Sequence, residues 1–106
     1  MIIYNVTVKI DKSVQEEWLR WMQTKHIPDV MNTGLFLEYK LSRILVDDPD
    51  GVNYSIQYLC LNEDNLNTYQ NEHAHALQLE HTERYKDKFV AFRTLMHVVD
   101  HKTHGW

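Results

Sequence analysis

His26 is the side chain whose type and position are best suited to chemistry. It follows Met22 by four residues on the apolar side of a predicted helix, and Pro28 comes two residues later. Proline removes a backbone donor and disfavours the helical region for Ile27, so the sequence predicts a helix break here. Unsatisfied carbonyls at a helix end favour a nearby cation, and imidazole there could shuttle protons near neutral pH. The alternative is a histidine that only caps the broken helix.

A polar stripe runs along the second predicted helical region. Its members recur at spacings of three or four, and they are Leu66, Tyr69, His73, Leu77, His81 and Tyr85. Such spacings place side chains on one helical face. Because the stripe is too polar for a simple core seam, His73, His81 and Tyr85 could line a pocket as adaptable donors and acceptors. The alternative is an amphipathic face whose polar tips reach solvent.

Two further polar residues interrupt apolar strands, Gln57 in the third predicted strand and Arg93 in the fourth. An unpaired buried charge is very costly, so Arg93 requires a partner. That partner is either a protein carboxylate, such as Glu38 or one across a dimer interface, or an anionic group of a substrate. Gln57 likewise pairs either with a protein group or with a substrate, but leaving it unpaired costs less because its amide is neutral.

The histidines do not form a metal-binding motif. His73 and His75 are two residues apart and cannot share one helical face. His97, His101 and His104 lie at a strand end and in the tail, where spacing is loose. No Ser-His-Asp elbow and no phosphate-binding glycine loop is present. The sequence therefore predicts neither a metal site nor a bound cofactor.

Six predicted elements carry these candidates. Alternation of apolar and polar residues and turn chemistry predict strands over 2–10, 35–46, 52–61 and 89–99. A capping box at Ser13-Val14-Gln15-Glu16 predicts the start of the first helix, and Gly34 is expected to end it as a left-handed cap. Asn62 caps the second helical region, which ends near residues 86–88. The segment 100–106 is a polar tail that ends in Trp106.

The order β-α-β-β-α-β predicts a single ferredoxin-like α+β domain over residues 1–106, with both helical regions on one face of a four-stranded antiparallel sheet. Apolar side chains occur on both sides of the last strand. They are Phe89, Ala91, Leu95 and Val99 on one side, and Val90, Phe92, Met96 and Val98 on the other. A large uncovered apolar face is unusual for a soluble monomer. The sequence therefore predicts a homodimer that pairs through the sheet with two-fold symmetry.

Composition narrows the class of protein. The chain is 43% hydrophobic and 25% charged, with a net charge of −4, so it predicts a globular protein with no affinity for nucleic acid or anionic membranes. No stretch approaches the about twenty apolar residues of a membrane span, and the apolar start is too short for a signal peptide. Cys60 is the single cysteine and is expected to be a buried free thiol. A reducing cytoplasm fits these features.

Several motifs together resemble a family of small bacterial proteins known only as a domain of unknown function. They are His26-Ile27-Pro28-Asp29-Val30-Met31, Thr33-Gly34, Ser55-Ile56-Gln57-Tyr58, Glu80-His81 and Phe89-Val90-Ala91-Phe92-Arg93-Thr94-Leu95. That family is similar to the dimeric α+β barrel superfamily, which includes cofactor-free antibiotic-biosynthesis monooxygenases, small isomerases, haem-degrading enzymes and stress-response proteins. The resemblance implies a ligand pocket between sheet and helices. One departure is that the family often has a proline near position 75, where this chain has His75-Ala76.

The leading functional hypothesis is a dimer that binds a small, partly apolar organic ligand between sheet and helices. It could act on that ligand without a cofactor, as a monooxygenase- or isomerase-like enzyme. The candidate catalytic residues are His26 and His81, and the candidate ligand-binding residues are Gln57, His73, Tyr85 and Arg93. The alternative is a non-enzymatic structural or protein-interaction module, so enzymatic activity stays open at this point.

Overall fold

Four antiparallel strands form one sheet in the order β2-β3-β1-β4, with the helices packed on one face, in a computed structural model that describes residues 1–104. The strands are β1 (Ile2–Asp11), β2 (Phe36–Arg43), β3 (Gly51–Cys60) and β4 (Phe89–His97). The helices are α1 (Gln15–Trp21), α2 (Ile27–Met31), α3 (Glu63–Glu72) and α4 (Ala74–Arg84). This is the predicted ferredoxin-like arrangement. The predicted tail residue Trp106 lies outside the described residues.

The central strand β1 decides which side chains face the helices. Its even-numbered residues Tyr4, Val8 and Ile10 are buried, as alternation along a strand requires. The pairing register places Val6 beside Ile56 of β3 and beside Arg93 of β4. Arg93 therefore belongs to the row of side chains that lies under the helices.

The first helical region begins differently from the prediction. Asp11, not Ser13, provides the cap: its Oδ1 accepts hydrogen bonds from the backbone N–H of Ser13 (2.8 Å) and from the Ser13 hydroxyl (2.6 Å). A 3₁₀ turn over Lys12–Val14 follows, and α1 starts at Gln15. The predicted capping box is wrong because the Ser13 hydroxyl is a donor to the preceding aspartate and does not accept from the helix.

The predicted break before Pro28 is also absent, since Ile27 keeps helical angles of φ −63° and ψ −44°. A π-helical turn over Met22–His26 joins α1 to α2, and the N–H of Ile27 donates to the carbonyl of Met22. This turn starts α2 at Ile27, so Pro28 falls in the first turn of a helix, where the backbone N–H is unpaired anyway. The helix is thus widened before the proline and does not end there.

The second helical region is two helices, not the single one that the stripe predicted. Asn62 caps α3 as predicted, accepting a hydrogen bond from the N–H of Asn65 at 2.8 Å. His73 then separates α3 from α4 with angles of φ −126° and ψ −38°. The predicted left-handed cap at Gly34 is confirmed by its φ of +76°. Among the described residues, no helix is long and apolar enough to cross a membrane.

The face of the sheet that the helices leave uncovered, here called the open face, is less uniformly apolar than predicted. Val90 and Phe92 of β4 are 68% and 61% exposed there. Beside them a polar row crosses the strands, since Asn5 pairs in register with both Gln57 and Thr94. The open face therefore combines exposed apolar side chains with a polar row.

Candidate functional site

A cavity of ≈ 140 Å³ lies between the helix-covered face of the sheet and the helices. The strands β1, β3 and β4 form its floor, and side chains from the π-helical turn, α2, α3 and α4 form its walls. An engineered protein cavity of about 150 Å³ holds a benzene molecule. The cavity therefore suits a ligand the size of a single six-membered ring.

His26 is positioned at the cavity by the π-helical turn. Residues five apart lie about 140° apart around an α-helix, but one above the other where hydrogen bonds join residues i and i+5. The rings of Trp21 and His26 accordingly stack at 5.2 Å with an interplanar angle of 30°. Nδ1 of His26 is buried and has no hydrogen-bond partner among the described residues.

Burial lowers the pKa of His26 from 6.5 to about 4. The positive charges of Arg93 and Lys25 also lower this pKa, while the carboxylate of Asp29 opposes the shift. His26 is therefore neutral at physiological pH, and one of its ring nitrogens carries a free lone pair. A neutral imidazole with an unpaired nitrogen can accept a proton or a hydrogen bond from a ligand.

His81 lies 5.7 Å from His26, measured between ring centroids. The indole N–H of Trp18 donates to Nε2 of His81 at 2.9 Å, so Nε2 carries no proton and the neutral ring has its proton on Nδ1. Burial lowers the pKa of His81 to about 4, and protonation of His26 or the charge of Arg93 would disfavour the imidazolium further. Phe89 packs edge-to-face against the ring at 4.5 Å. His81 is thus held as a neutral ring in one orientation.

Arg93 enters the cavity from β4. Its Nε donates a hydrogen bond of 3.0 Å to the phenolic oxygen of Tyr4, and Nε2 of Gln78 donates to the same oxygen at 3.3 Å. The residue is exposed overall, and no carboxylate of the described chain forms an ion pair with it. Glu38, which the sequence suggested as a partner, lies on β2 at the other edge of the sheet. The guanidinium charge therefore remains available to a ligand.

Tyr58 and Tyr69 add two more phenols to the cavity wall. Their rings lie within 6.0 Å of the Tyr4 ring, measured between centroids. Burial raises the pKa of Tyr58 and of Tyr69 well above the usual value of a phenol. Both hydroxyls therefore stay protonated and can donate hydrogen bonds. The phenols and the arginine make one end of the cavity rich in donors.

Three of the predicted site residues, His26, His81 and Arg93, meet in this cavity. The other three do not line it. Gln57 is exposed on the open face, because it pairs with Asn5, an odd-numbered residue of β1. His73 stacks on Tyr69 in the break between α3 and α4.

Tyr85, the last predicted site residue, packs behind His81. Its ring is also in edge contact with Trp21, and its hydroxyl lies 3.3 Å from both Glu17 and Arg84. These contacts direct the hydroxyl away from the cavity. The single-helix prediction placed Tyr85 and His73 on the same face as His81, but the break at His73 and the end of α4 before Tyr85 changed their directions.

Sequence reasoning missed several residues at the site besides Tyr58 and Tyr69, and three of them contact its polar groups directly: Tyr4, Trp18 and Gln78. Tyr4 sits in the alternating pattern of β1, which predicts only an apolar strand residue, although its hydroxyl is a signal of polar surroundings. The helical pattern predicts Trp18 as core, which its 0% exposure supports, but its N–H also holds His81. Gln78 lies outside the i, i+4 stripe, and no pattern in the sequence indicates its contact with Tyr4.

The described residues contain no group of three or more histidine, cysteine or acidic side chains arranged to hold a metal ion. His97 and His101, which the sequence placed at a strand end and in the tail, are exposed and away from the cavity.

The fold and the cavity define a small ferredoxin-like α+β protein with a pocket between sheet and helices. Residues 1–99 match the model of the domain of unknown function DUF4286, and the chain belongs to that family. No curated protein is similar to it in sequence at a significant level.

Solved structures share the fold at low sequence identity. A dimeric ferredoxin-like protein from an uncultured marine organism is 10% identical with a TM-score of 0.71, covering 98% of this chain and 100% of its own. A mutant form of SnoaB, a cofactor-independent oxygenase from Streptomyces nogalater, is 10% identical with a TM-score of 0.67 and coverages of 94% and 95%. An antibiotic biosynthesis monooxygenase is 17% identical with a TM-score of 0.62 and coverages of 94% and 100%. These likenesses show the fold alone.

The lowered pKa values predict a loss of stability in mild acid. The unfolded chain protonates both imidazoles near pH 6.5, whereas the folded protein resists protonation until about pH 4. In that window the unfolded state binds more protons, so the free energy of unfolding falls as pH falls, by up to about 1 kcal/mol per pH unit for each histidine. Urea denaturation across this range measures the slope.

The matched variants for that experiment are His26→Gln and His75→Gln. The first removes one buried titrating group, so its stability should decline less steeply with acid than that of the wild type. The second changes an exposed histidine outside the cavity and should keep the wild-type slope. Equal slopes in all three proteins would contradict the assignment.

The Trp18–His81 hydrogen bond predicts different costs for two tryptophan substitutions. Trp18→Phe leaves a void and an unpaired buried Nε2 on His81, and should lower the free energy of unfolding by roughly 2–4 kcal/mol. Trp21→Phe, at a half-buried residue, should cost about 1 kcal/mol. Nitrogen chemical shifts of His81 should report a mixed tautomer only in Trp18→Phe. An unchanged tautomer there would contradict the role of the indole.

Proposed function

We propose that this protein binds a small, partly apolar organic ligand in the cavity and transfers protons to and from it without a bound cofactor. This chemistry is common to isomerase-like and cofactor-independent monooxygenase-like reactions. The structural likeness to SnoaB, a cofactor-independent oxygenase, supports the proposal as an analogy of fold. His26 is the proposed base, His81 a hydrogen-bond donor that orients the ligand through its Nδ1–H, and Arg93 the anchor for an anionic group.

The observation that carries the proposal is the unpaired Nδ1 of His26. Buried polar atoms almost always have a hydrogen-bond partner, and a native exception calls for an explanation. His26 lines a cavity of ligand size and lies beside a second neutral imidazole. A ligand that donates to Nδ1 would satisfy the orphaned atom and place its proton within reach of a base.

The proposed step is a proton transfer from the ligand to His26, which needs no oxidant, reductant or leaving group. The lone pair of neutral His26 takes a proton from a C–H or O–H bond of the ligand, the bonding electrons stay on the ligand, and an imidazolium–anion pair forms. The negative charge next to the ring then raises the pKa of His26 from its low resting value. Return of the proton to a different ligand atom would complete an isomerisation.

Homodimerisation through the open face is the second part of the proposal. Val90 and Phe92 expose large apolar surfaces there, and burying them against a second copy would remove that surface from water. Two-fold symmetry would place the same patch on both copies. The structurally similar protein from an uncultured marine organism is a dimeric ferredoxin-like protein, and this likeness of fold supports the same assembly by analogy. We place the protein in the cytoplasm, where Cys60 remains a buried thiol.

Native mass spectrometry of freshly purified protein tests ligand binding. The wild type should retain a small molecule, and His26→Ala should lose it while keeping its thermal unfolding cooperative. His75→Ala, an exposed histidine on α4, is the control and should behave as the wild type. A protein that retains no small molecule in any variant and shows no response to added ligands would favour the non-enzymatic interaction module.

Dimerisation is tested with two charge substitutions of similar exposure. Phe92→Glu places a carboxylate on the open face and should raise the dimer dissociation constant by about tenfold or more. Leu79→Glu changes an exposed residue of α4 in the helical layer and should leave it unchanged. Sedimentation velocity over a concentration series measures both. A wild-type monomer at all concentrations, or equal dissociation in both variants, would rule out pairing through the sheet.

A further inference from the structure

The donor-rich end of the cavity has a chemical preference of its own. Among the described residues that line the cavity, Arg93 alone carries a charge at neutral pH, and none is an aspartate or glutamate. The two histidines are neutral there. A ligand that enters this cavity therefore meets one positive charge and no negative one.

Tyr4 strengthens that preference through its own hydrogen bonds. Its phenolic oxygen receives two donors, Nε of Arg93 at 3.0 Å and Nε2 of Gln78 at 3.3 Å. With both partners acting as donors, the phenolic proton has no acceptor among the described residues. Tyr4 is only 2% exposed and lines the cavity, so its hydroxyl is shielded from bulk solvent. The two donors also polarise the hydroxyl and make it a stronger donor.

We propose that the cavity selects a single-ring organic monoanion whose anionic oxygen accepts hydrogen bonds from the Tyr4 hydroxyl and from the free guanidinium nitrogens of Arg93. This inference rests on the proposed function and adds the charge, the size and the orientation of its ligand. The size follows from the cavity volume of ≈ 140 Å³, close to that which holds a benzene molecule. A carboxylate, a phenolate and an enolate share the required oxygen chemistry.

The orientation follows from the two ends of the cavity. An anionic oxygen held by Tyr4 and Arg93 directs the rest of the ring toward the histidine pair, since His26 and His81 line the same cavity and lie 5.7 Å apart between ring centroids. Tyr58 and Tyr69 remain protonated and lie beside Tyr4 at the donor-rich end of the cavity, where they are neutral hydrogen-bond donors. Tyr4 would thus be a ligand-binding group of the site, and Gln78 a positioning residue that acts through it.

Benzoate and its neutral analogue benzamide test the inference on the whole 106-residue chain. Titration calorimetry at neutral pH should show that benzoate binds at least about tenfold more tightly than benzamide, as expected for a charge-assisted hydrogen bond. Arg93→Met should weaken benzoate binding by about ten- to hundredfold and leave benzamide binding nearly unchanged. Tyr4→Phe should weaken benzoate by about tenfold, since only the hydroxyl is removed.

Matched controls keep the result interpretable. Arg43→Met removes an exposed arginine of β2 that does not line the cavity, and Tyr39→Phe removes an exposed hydroxyl outside it. Both should bind benzoate as the wild type does. Ala91→Phe places a ring inside the cavity and should abolish binding of either probe. If Tyr4→Phe is too unstable to study, Arg93→Lys keeps the charge but loses the bond to Tyr4, and should give an intermediate affinity.

The outcomes separate this inference from the proposed function. Equal or tighter binding of benzamide, still lost in Ala91→Phe, would overturn the preference for an anion and leave a small-molecule site in place. Benzoate binding that survives both Arg93→Met and Tyr4→Phe would overturn the assigned contacts. Failure of benzoate to bind at millimolar concentration would overturn the single-ring monoanion, whereas the proposed function would stand or fall on the ligand retained in native mass spectrometry.

Discussion

The hydrogen bond between the Trp18 indole and Nε2 of His81 links parts of the chain that are 63 residues apart. Trp18 is fully buried and packs on Tyr54 of β3 at 5.0 Å between ring centroids, while His81 packs on Phe89 of β4 at 4.5 Å. The pair therefore connects α1 and α4 with two strands of the sheet. Because it occupies Nε2, it also decides which nitrogen of His81 bears the proton. This one hydrogen bond thus holds α1 and α4 together beside the cavity and fixes the tautomer of His81.

Order and type of the elements were predictable because they follow from local periodicity. Alternation in β1 and the apolar strands β3 and β4 identified the sheet, and the β-α-β-β-α-β order then left one common topology. The connecting details were not predictable. Competition between Asp11 and Ser13 for the helix start, and the choice between a break and a π-helical turn before Pro28, depend on small energy differences that single residue types do not determine.

The predicted site residues that lie together in the cavity are those that interrupt an apolar pattern facing the helices. His26, His81 and Arg93 met that condition. Gln57 met it only in appearance, since both faces of β3 carry apolar residues and the register with Asn5 turns Gln57 to the open face. Tyr4 could not be recognised from the sequence for the opposite reason. Its aromatic ring satisfies the apolar pattern, and only the tertiary contacts show that its oxygen accepts hydrogen bonds from Arg93 and Gln78.

The position of Arg93 reconciles a charged site with a stable core. A fully buried cation without a counter-ion would cost several kcal/mol in desolvation. Arg93 lies on the edge strand β4 and is exposed overall, so much of its charge stays hydrated while Nε reaches the buried oxygen of Tyr4. The interior groups beside it are phenols and imidazoles that stay neutral, and burial keeps them so. The fold can therefore hold a positive potential over a cavity lined by neutral polar and apolar groups without burying an unpaired charge, and an anionic ligand would complete the pair on entering.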